Sequence, residues 1–351
     1  MSISFYRPGA SMFSPARRLR RACGVALCGW LLAGGLQAGA APTASEPAAG
    51  EAPAQALRAR HKQIKDKLER SSFGRPIQLD SIETPDGLQG DVYAVVEHPL
   101  SEVGSALKGS ANWCELMLLH VNNRRCRVSG APGRETLTLY VVRRYDKPVD
   151  QAFELPFAYR VASATPDHLM IDLSAASGPF GTSNYHVTLE AVALDEHKSF
   201  LHFSYSYDHS MMVKLATQAY LATFGRDKVG FTVVGQAPDG KPEYIRGMRG
   251  LVERNAMRYF LTLDAYLAAD AKGQSEQRQR HWFAAAEQFP RQLHEIDLDT
   301  YLALKREDRQ REGLGRGRCL LRFHFPVTRA GANRPARAQP ARGHDTEMKD
   351  S

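Results

Sequence analysis

From Pro76 to Tyr207 the chain is dominated by runs in which apolar and polar residues alternate, and outside those runs the apolar spacing is mostly that of a helix. Pro76–Glu83 and Gly90–Glu97 predict strands separated by the turn Thr84-Pro85-Asp86-Gly87, with His98-Pro99 ending the second. Leu100–Gly109 predicts a short helix with Leu100, Val103, Ala106 and Leu107 on one face, and Trp113–Leu119 is a dense apolar patch. Strand patterns follow at Leu137-x-Leu139-x-Val141, Phe153 to Val161, Leu169 to Leu173 and Tyr185 to Ala193. The last is Leu201, Phe203, Tyr205 and Tyr207, with His202, Ser204 and Ser206 opposite. Thr165-Pro166-Asp167, Ser177-Gly178-Pro179 and Asp195-Glu196-His197-Lys198 are turn chemistry. Clean alternation means one buried and one wet face, as in an antiparallel meander.

Helices flank this region. Ala56–Arg70 carries Leu57, Ile64 and Leu68 on one side among Arg and Lys. Ser210–Phe224 has a broad apolar face of Met211, Met212, Leu215, Ala219, Tyr220 and Phe224, and Gly225 caps it. Val229–Val234 predicts a further strand and Gly235–Gly240 a turn. Gly247–Ala269 is the longest helix: Val252, Ala256, Tyr259, Phe260, Leu263 and Leu267 form its stripe, and Arg249, Arg254 and Arg258 lie opposite. Glu276–Gln288 and Leu298–Glu312 are helical, with Pro290 between them. Residues 313–351 are rich in Arg, Gly, Ala and Pro without a period and read as a disordered basic tail.

The order of a strand (90–97), a short helix (100–109), Trp113, a run of antiparallel strands and a closing helix (247–269) resembles the helix-grip fold of the START-like superfamily. That superfamily includes lipid-transfer domains, polyketide cyclases and plant hydrophobic-ligand binders. The resemblance covers about 76–270 and implies an α+β fold, a curved antiparallel sheet gripping a long C-terminal helix around an elongated apolar cavity. The helix 210–224 and the helical extension 271–312 are additions to that pattern. The implied partner is a hydrophobic small molecule or lipid bound non-covalently in the cavity.

The two ends of the chain change the picture. Arg17, Arg18, Arg20 and Arg21 precede the apolar run Ala22–Ala38 and the small residues Ala38-Gly39-Ala40. Residues 1–40 therefore read as a cleaved signal peptide, and 41–55 as an Ala/Pro/Glu-rich linker. This places the protein in the periplasm or outside the cell. Residues 1–40 carry five Arg and no acid, and 305–351 carry twelve basic against six acidic residues, so of a net +8 the body 41–304 carries −3. A basic face for nucleic acid is not in the body. Cys23 and Cys28 leave with the signal, which leaves Cys114, Cys126 and Cys319. In an oxidising compartment Cys114 and Cys126 are the natural disulfide, worth roughly 3 kcal/mol on the chain-entropy model; two buried thiols are the alternative.

No serine-hydrolase elbow, zinc-protease motif or phosphate loop occurs, no cofactor is implied, and no His pair has metal-ligand spacing. The chain reads as a binder rather than an enzyme, with acid–base chemistry by cavity Tyr and His, or partner binding through the extension, as the other readings. Candidate cavity-lining residues are Phe203, Tyr205, Tyr207, Tyr259, Leu263 and Arg143. The tyrosines offer phenolic handles in a pocket or else pack a core. Arg143 grips an acidic ligand group or else lies on a wet strand face. The helix 210–224 is a lid, a face for transient membrane contact or simply packing. The mature chain is expected to begin near Ala41. N-terminal sequencing of protein recovered from the periplasm checks this; an intact 22–38 run would make it membrane-anchored instead.

Overall fold

A computed structural model of the chain describes residues 51–223, 225–268 and 275–320. The expected signal peptide, most of the expected linker and the tail beyond 320 lie outside these residues. The described chain runs α1 (Glu51–Glu69), β1 (Ile77–Glu83), β2 (Gly87–Val96), α2 (Leu100–Leu107), α3 (Ser110–Met117), β3 (Asn123–Ser129), β4 (Thr136–Val141), β5 (Phe153–Ala164), β6 (His168–Ser177), β7 (Thr182–Ala193) and β8 (Ser199–His209). It continues with α4 (Met211–Ala222), β9 (Val233–Gln236), β10 (Pro242–Tyr244), α5 (Gly247–Leu267), α6 (Ser275–Glu287), α7 (Pro290–Leu293) and α8 (Leu298–Leu320). An eight-stranded antiparallel sheet has the order β1-β2-β8-β7-β6-β5-β4-β3, and β9 and β10 form a separate hairpin. The expected α+β helix-grip architecture is present: β2 and β3, joined by α2 and α3, are far apart in a sheet that packs its inner face on α5.

The alternation read from the sequence is the reason for this shape. Leu155, Phe157, Ile171, Leu189, Leu201 and Phe203 fill the inner face and meet Val252, Ala256, Phe260 and Leu263 of α5 in one core. Burying a large apolar side chain contributes roughly 1.5–3 kcal/mol. On the outer face α1 lays Leu57, Ile64 and Leu68 against Val192 and Phe200. The closest approach of helix and sheet is at Gly90: a Cβ there would stand 2.9 Å from the Ala256 Cβ and 3.2 Å from the Val252 carbonyl oxygen. Glycine at 90 is what lets α5 lie on β2. Cys114 and Cys126 are joined by a disulfide between α3 and β3, with the Cα atoms 5.3 Å apart.

Four expectations are corrected. The helix α1 begins at Glu51, inside the expected linker, because Ala54 adds one more apolar step to its packed face. Residues 229–232 are a buried loop and not part of a strand. The Glu253 carboxylate accepts from the Phe231 and Thr232 amides (2.6 and 2.9 Å) and takes the N–H groups a ladder would use. The helix α8 runs on to Leu320, past the expected start of the tail, since extending a docked helix adds a hydrogen bond per residue at little further cost. Finally, Arg254 and Arg258 are 2% and 6% exposed. They do face away from the sheet, but the extension covers that side of α5. The Trp282 indole N–H donates to the Arg258 carbonyl (3.3 Å), and Glu295 pairs with the Arg258 guanidinium (2.6 Å).

The Gly90 contact predicts that Gly90→Ala destabilises the fold by about 1–3 kcal/mol through overpacking. Adding Ala256→Gly to that variant should cost less than Ala256→Gly costs alone. Urea melts of the two single variants and the double variant measure this coupling.

Candidate active site

The interior between β7, β8 and α5 is lined by phenols. Tyr185 on β7 and Tyr205 and Tyr207 on β8 point inward because they continue the buried register of their strands. Tyr259 meets them from α5. The rings of Tyr185 and Tyr207 stack at 5.2 Å, those of Tyr205 and Tyr207 lie 5.8 Å apart, and those of Tyr205 and Tyr259 5.5 Å. Gly178 makes room for this, since a Cβ there would sit 2.2 Å from the Tyr185 ring. The Tyr185 hydroxyl shares a 2.8 Å hydrogen bond with Thr182 Oγ1, which donates to the Pro179 carbonyl. Burial disfavours each phenolate: Tyr185 is raised, Tyr207 and Tyr205 more strongly, and Tyr259 is pushed up to about 12. At neutral pH the wall is a set of uncharged hydroxyls.

His120 closes the cluster at its far end. Its ring stacks on Tyr259 at 4.9 Å, and Nδ1 accepts from the Asn122 amide (3.1 Å), which leaves the proton on Nε2. Burial, with Arg258 and Lys305 nearby, holds this imidazole well below its ordinary value, so it is neutral. Lys305 of α8 reaches in from the extension, and its Nζ donates to the His120 and Asn123 carbonyls, both at 2.8 Å. Burial lowers that ammonium to about 7, against the pull of Asp308. Asp308 is itself held by the Arg124 guanidinium at 2.8 Å. This end of the cluster offers a neutral N–H donor and an amine poised near neutrality.

Of the expected lining residues, the structure brings together Tyr205, Tyr207 and Tyr259 in one ring cluster and buries Phe203 and Leu263 in the same core. Arg143 is not among them. The strand β4 ends at Val141, and Arg143 is exposed in the turn that follows. Clefts also open on the surface of the described residues. One, about 530 Å³, lies between Glu83-Thr84-Pro85 and α4; another, about 340 Å³, lies between β1 and Phe231–Val233 beside Arg249.

His120 and Lys305 were not found by sequence reasoning. His120 had a signal, a lone imidazole inside the apolar run 113–121; Lys305 had none, being one of many basic residues on its helix. The outer-face histidines are not freely solvated. His202 pairs with Asp91 (2.9 Å), and His168 is buried against Glu190 (2.8 Å). Among the described residues no group of three His, Cys, Asp or Glu could hold a metal, and no helix is long and apolar enough to cross a membrane.

No family model matches the chain, and no curated protein does. Solved structures do resemble it. Norcoclaurine synthase from Thalictrum flavum is 10% identical, covering 42% of this chain and 82% of its own, with a TM-score of 0.29. The Zhui aromatase/cyclase from Streptomyces sp. R1128 is 10% identical, covering 57% and 96%, with a TM-score of 0.30. A START superfamily protein from Mycobacterium smegmatis is 12% identical, covering 39% and 92%, with a TM-score of 0.28. The likeness is one of fold alone.

The buried titratable groups fix a pH profile for stability. His120 is lowered, so below 6.5 the unfolded chain binds the extra proton and stability falls as pH drops. Lys305 is also lowered, from 10.5 to about 7, so between those values the unfolded chain again holds more protons and stability rises with pH. Above about 10 the raised tyrosines reverse the sign, because only the unfolded chain ionises there. Urea midpoints from pH 5 to 11 should therefore rise and then fall (reference values roughly as for free side chains). Lys305→Met should flatten the rise above 7.

Proposed function

We propose that this is an exported START-like protein that binds a hydrophobic small molecule or lipid non-covalently between the inner face of the sheet and α5. In this reading 76–270 is the binding domain, 271–312 a helical brace and 1–40 a signal peptide that is removed. The observation that carries it is the phenol cluster. Tyr185, Tyr205, Tyr207 and Tyr259 give a large aromatic surface with uncharged hydrogen-bonding tips and no carboxylate among them. An apolar wall with a few neutral polar groups is the usual character of a small-molecule site.

Room for the ligand comes from α4 and the rings beneath it. Of the side chains of α4 only Leu221 is buried, while Met211, Met212 and Leu215 are 65%, 81% and 59% exposed. A helix so lightly held is suited to opening. Its exposed apolar face suits transient contact with a membrane surface, where a lipid-like ligand would be exchanged. A second reading is acid–base catalysis on a hydrophobic substrate, favoured by the neutral His120 stacked on Tyr259.

Native mass spectrometry of protein purified gently from the periplasm tests the binding reading. The expected result is a co-purifying mass of lipid size that is lost on extraction with organic solvent. A protein that carries no added mass, and takes none up from a membrane extract, sinks it.

A further inference from the structure

The alternation of β8 runs one step past Tyr207. His209 is the next inward residue, 4% exposed, and its side chain is directed to the same side as Phe203, Tyr205 and Tyr207. Its backbone is well held: the amide donates to the Asp86 carbonyl at 2.8 Å, and the residue pairs with Thr182 across the sheet. Its ring is not. Six buried side-chain nitrogen and oxygen atoms among the described residues reach no hydrogen-bond partner, and two of them are the ring nitrogens of His209. No other side chain in that group has all of its polar atoms unmatched. A buried polar atom without a partner is destabilising by roughly 1–3 kcal/mol, so an imidazole with both nitrogens unmatched is an unfavourable choice for packing alone.

Its place in the fold gives it a use. His209 directly precedes Ser210, the N-cap of α4, whose hydroxyl accepts from the Val213 amide. The carbonyl of Asp86 that holds its backbone follows Thr84 and Pro85, which wall the 530 Å³ cleft along α4. The sheet is irregular there. The β7–β8 register shifts between Ser183 and His186, and Asn184 adopts a positive φ of 50°. Irregularities of this kind re-aim side chains at sheet ends and beside sites. Lys214, the charged residue of α4, is already tied to Glu83 at 2.9 Å. The strand that leads into α4 therefore ends on two inward tyrosines and an imidazole without hydrogen-bond partners, and the cleft between residues 83–85 and α4 lies next along the chain.

We propose that His209 binds the polar end of the ligand, and that the ligand is a single-chain amphiphile ending in an oxygen head group, a hydroxyl or a carboxyl, with its chain along the tyrosines. This rests on the ligand-binding reading above. A neutral imidazole presents one donor and one acceptor. A hydroxyl head both donates and accepts, so it pairs with either nitrogen, while a carboxylate head accepts from the N–H. The apolar chain lies against Tyr207, Tyr185 and Tyr205.

The test uses the full exported protein and the neutral fluorescent probe N-phenyl-1-naphthylamine. Decanol, decanoic acid and 1-chlorodecane compete for it; the first two carry the head oxygen and the third does not. The parent should favour decanol, decanoic acid or both over 1-chlorodecane by about tenfold, the ordinary worth of one hydrogen bond. His209→Leu should lose that preference while probe affinity stays within about twofold, and His209→Gln should keep most of it. The acid and alcohol arms tell which head group is native. As a readout independent of any variant, nitrogen-15 spectra of histidine-labelled parent should show one ring, assigned by its absence in His209→Gln, shifting when the favoured competitor is added. A parent that binds the probe without any head-group preference, a preference that survives His209→Leu, or unshifted ring nitrogens would overturn the proposal and leave the ligand-binding reading standing. A parent that binds neither probe nor amphiphile takes down both.

Discussion

The helix α5 has almost no side that faces water, and a helix buried nearly all round obliges its polar side chains to find partners inside the protein. Glu253, Arg254, Arg258 and Thr262 are all buried on it. Glu253 is matched four times: by two amides and the hydroxyl of the 231–232 loop and by the Ser81 hydroxyl at 2.6 Å. That one carboxylate fixes the loop after α4 and ties α5 to the edge strand β1. Arg258 is matched by Glu295, which also takes Lys228 at 2.9 Å, and so the segment after α7 is pinned to the segment after α4. The extension is thereby part of the core. Removing it would leave arginines and an indole partner exposed on a helix otherwise built for burial.

The same constraint sorts the interior by charge. The ionised groups of α5 lie off the tyrosine side: Arg254 and Arg258 reach the Val229 carbonyl and Glu295, Glu253 and Arg249 meet Ser81, and Asp264 meets Arg75. The side facing β7 and β8 holds neutral phenols. Separating them this way keeps charged groups where hydrogen bonds offset desolvation, and leaves the sheet side with low polarity but many hydroxyls. Lys305 sits on the boundary. Its two carbonyl partners match both N–H groups of the neutral amine, whereas the ammonium has a third, and burial brings it to about 7.

Much of this was legible from alternation. The strands β5 to β8 and the gripping helix follow from period alone, because one face is dry and the other wet. What escaped the sequence had a common cause, the presence of a third layer. Arg254 and Arg258 fall where an amphipathic helix normally meets water, and nothing local to that helix says that Trp282 and Glu295 will cover them. Val229 to Val234 has the composition of a strand, but a buried carboxylate twenty residues later captures its amides. Arg143 looks like a residue in a strand until the chain turns after Val141. His209 was readable: it is the next odd position after Tyr207, and ending the strand two residues early hid it.

The cover of the sheet near the end of β8 is therefore uneven, tight against α5 and loose against α4. At Gly90 the helix touches the sheet so closely that even a methyl group would collide, and Glu253 and the Arg249 contact with Ser81 (3.1 Å) hold that region from the flank. Little movement is available there. Gly90 lies opposite Tyr205, and just beyond it, past Leu88 and Tyr207, the cover is α4, held chiefly by Leu221 and the Lys214–Glu83 pair. Local stability follows buried contact, so opening is cheapest where contacts are fewest. The long helix is thus the fixed element, and α4, which follows the strand of Tyr205 and Tyr207, is the element with the fewest contacts to lose on moving.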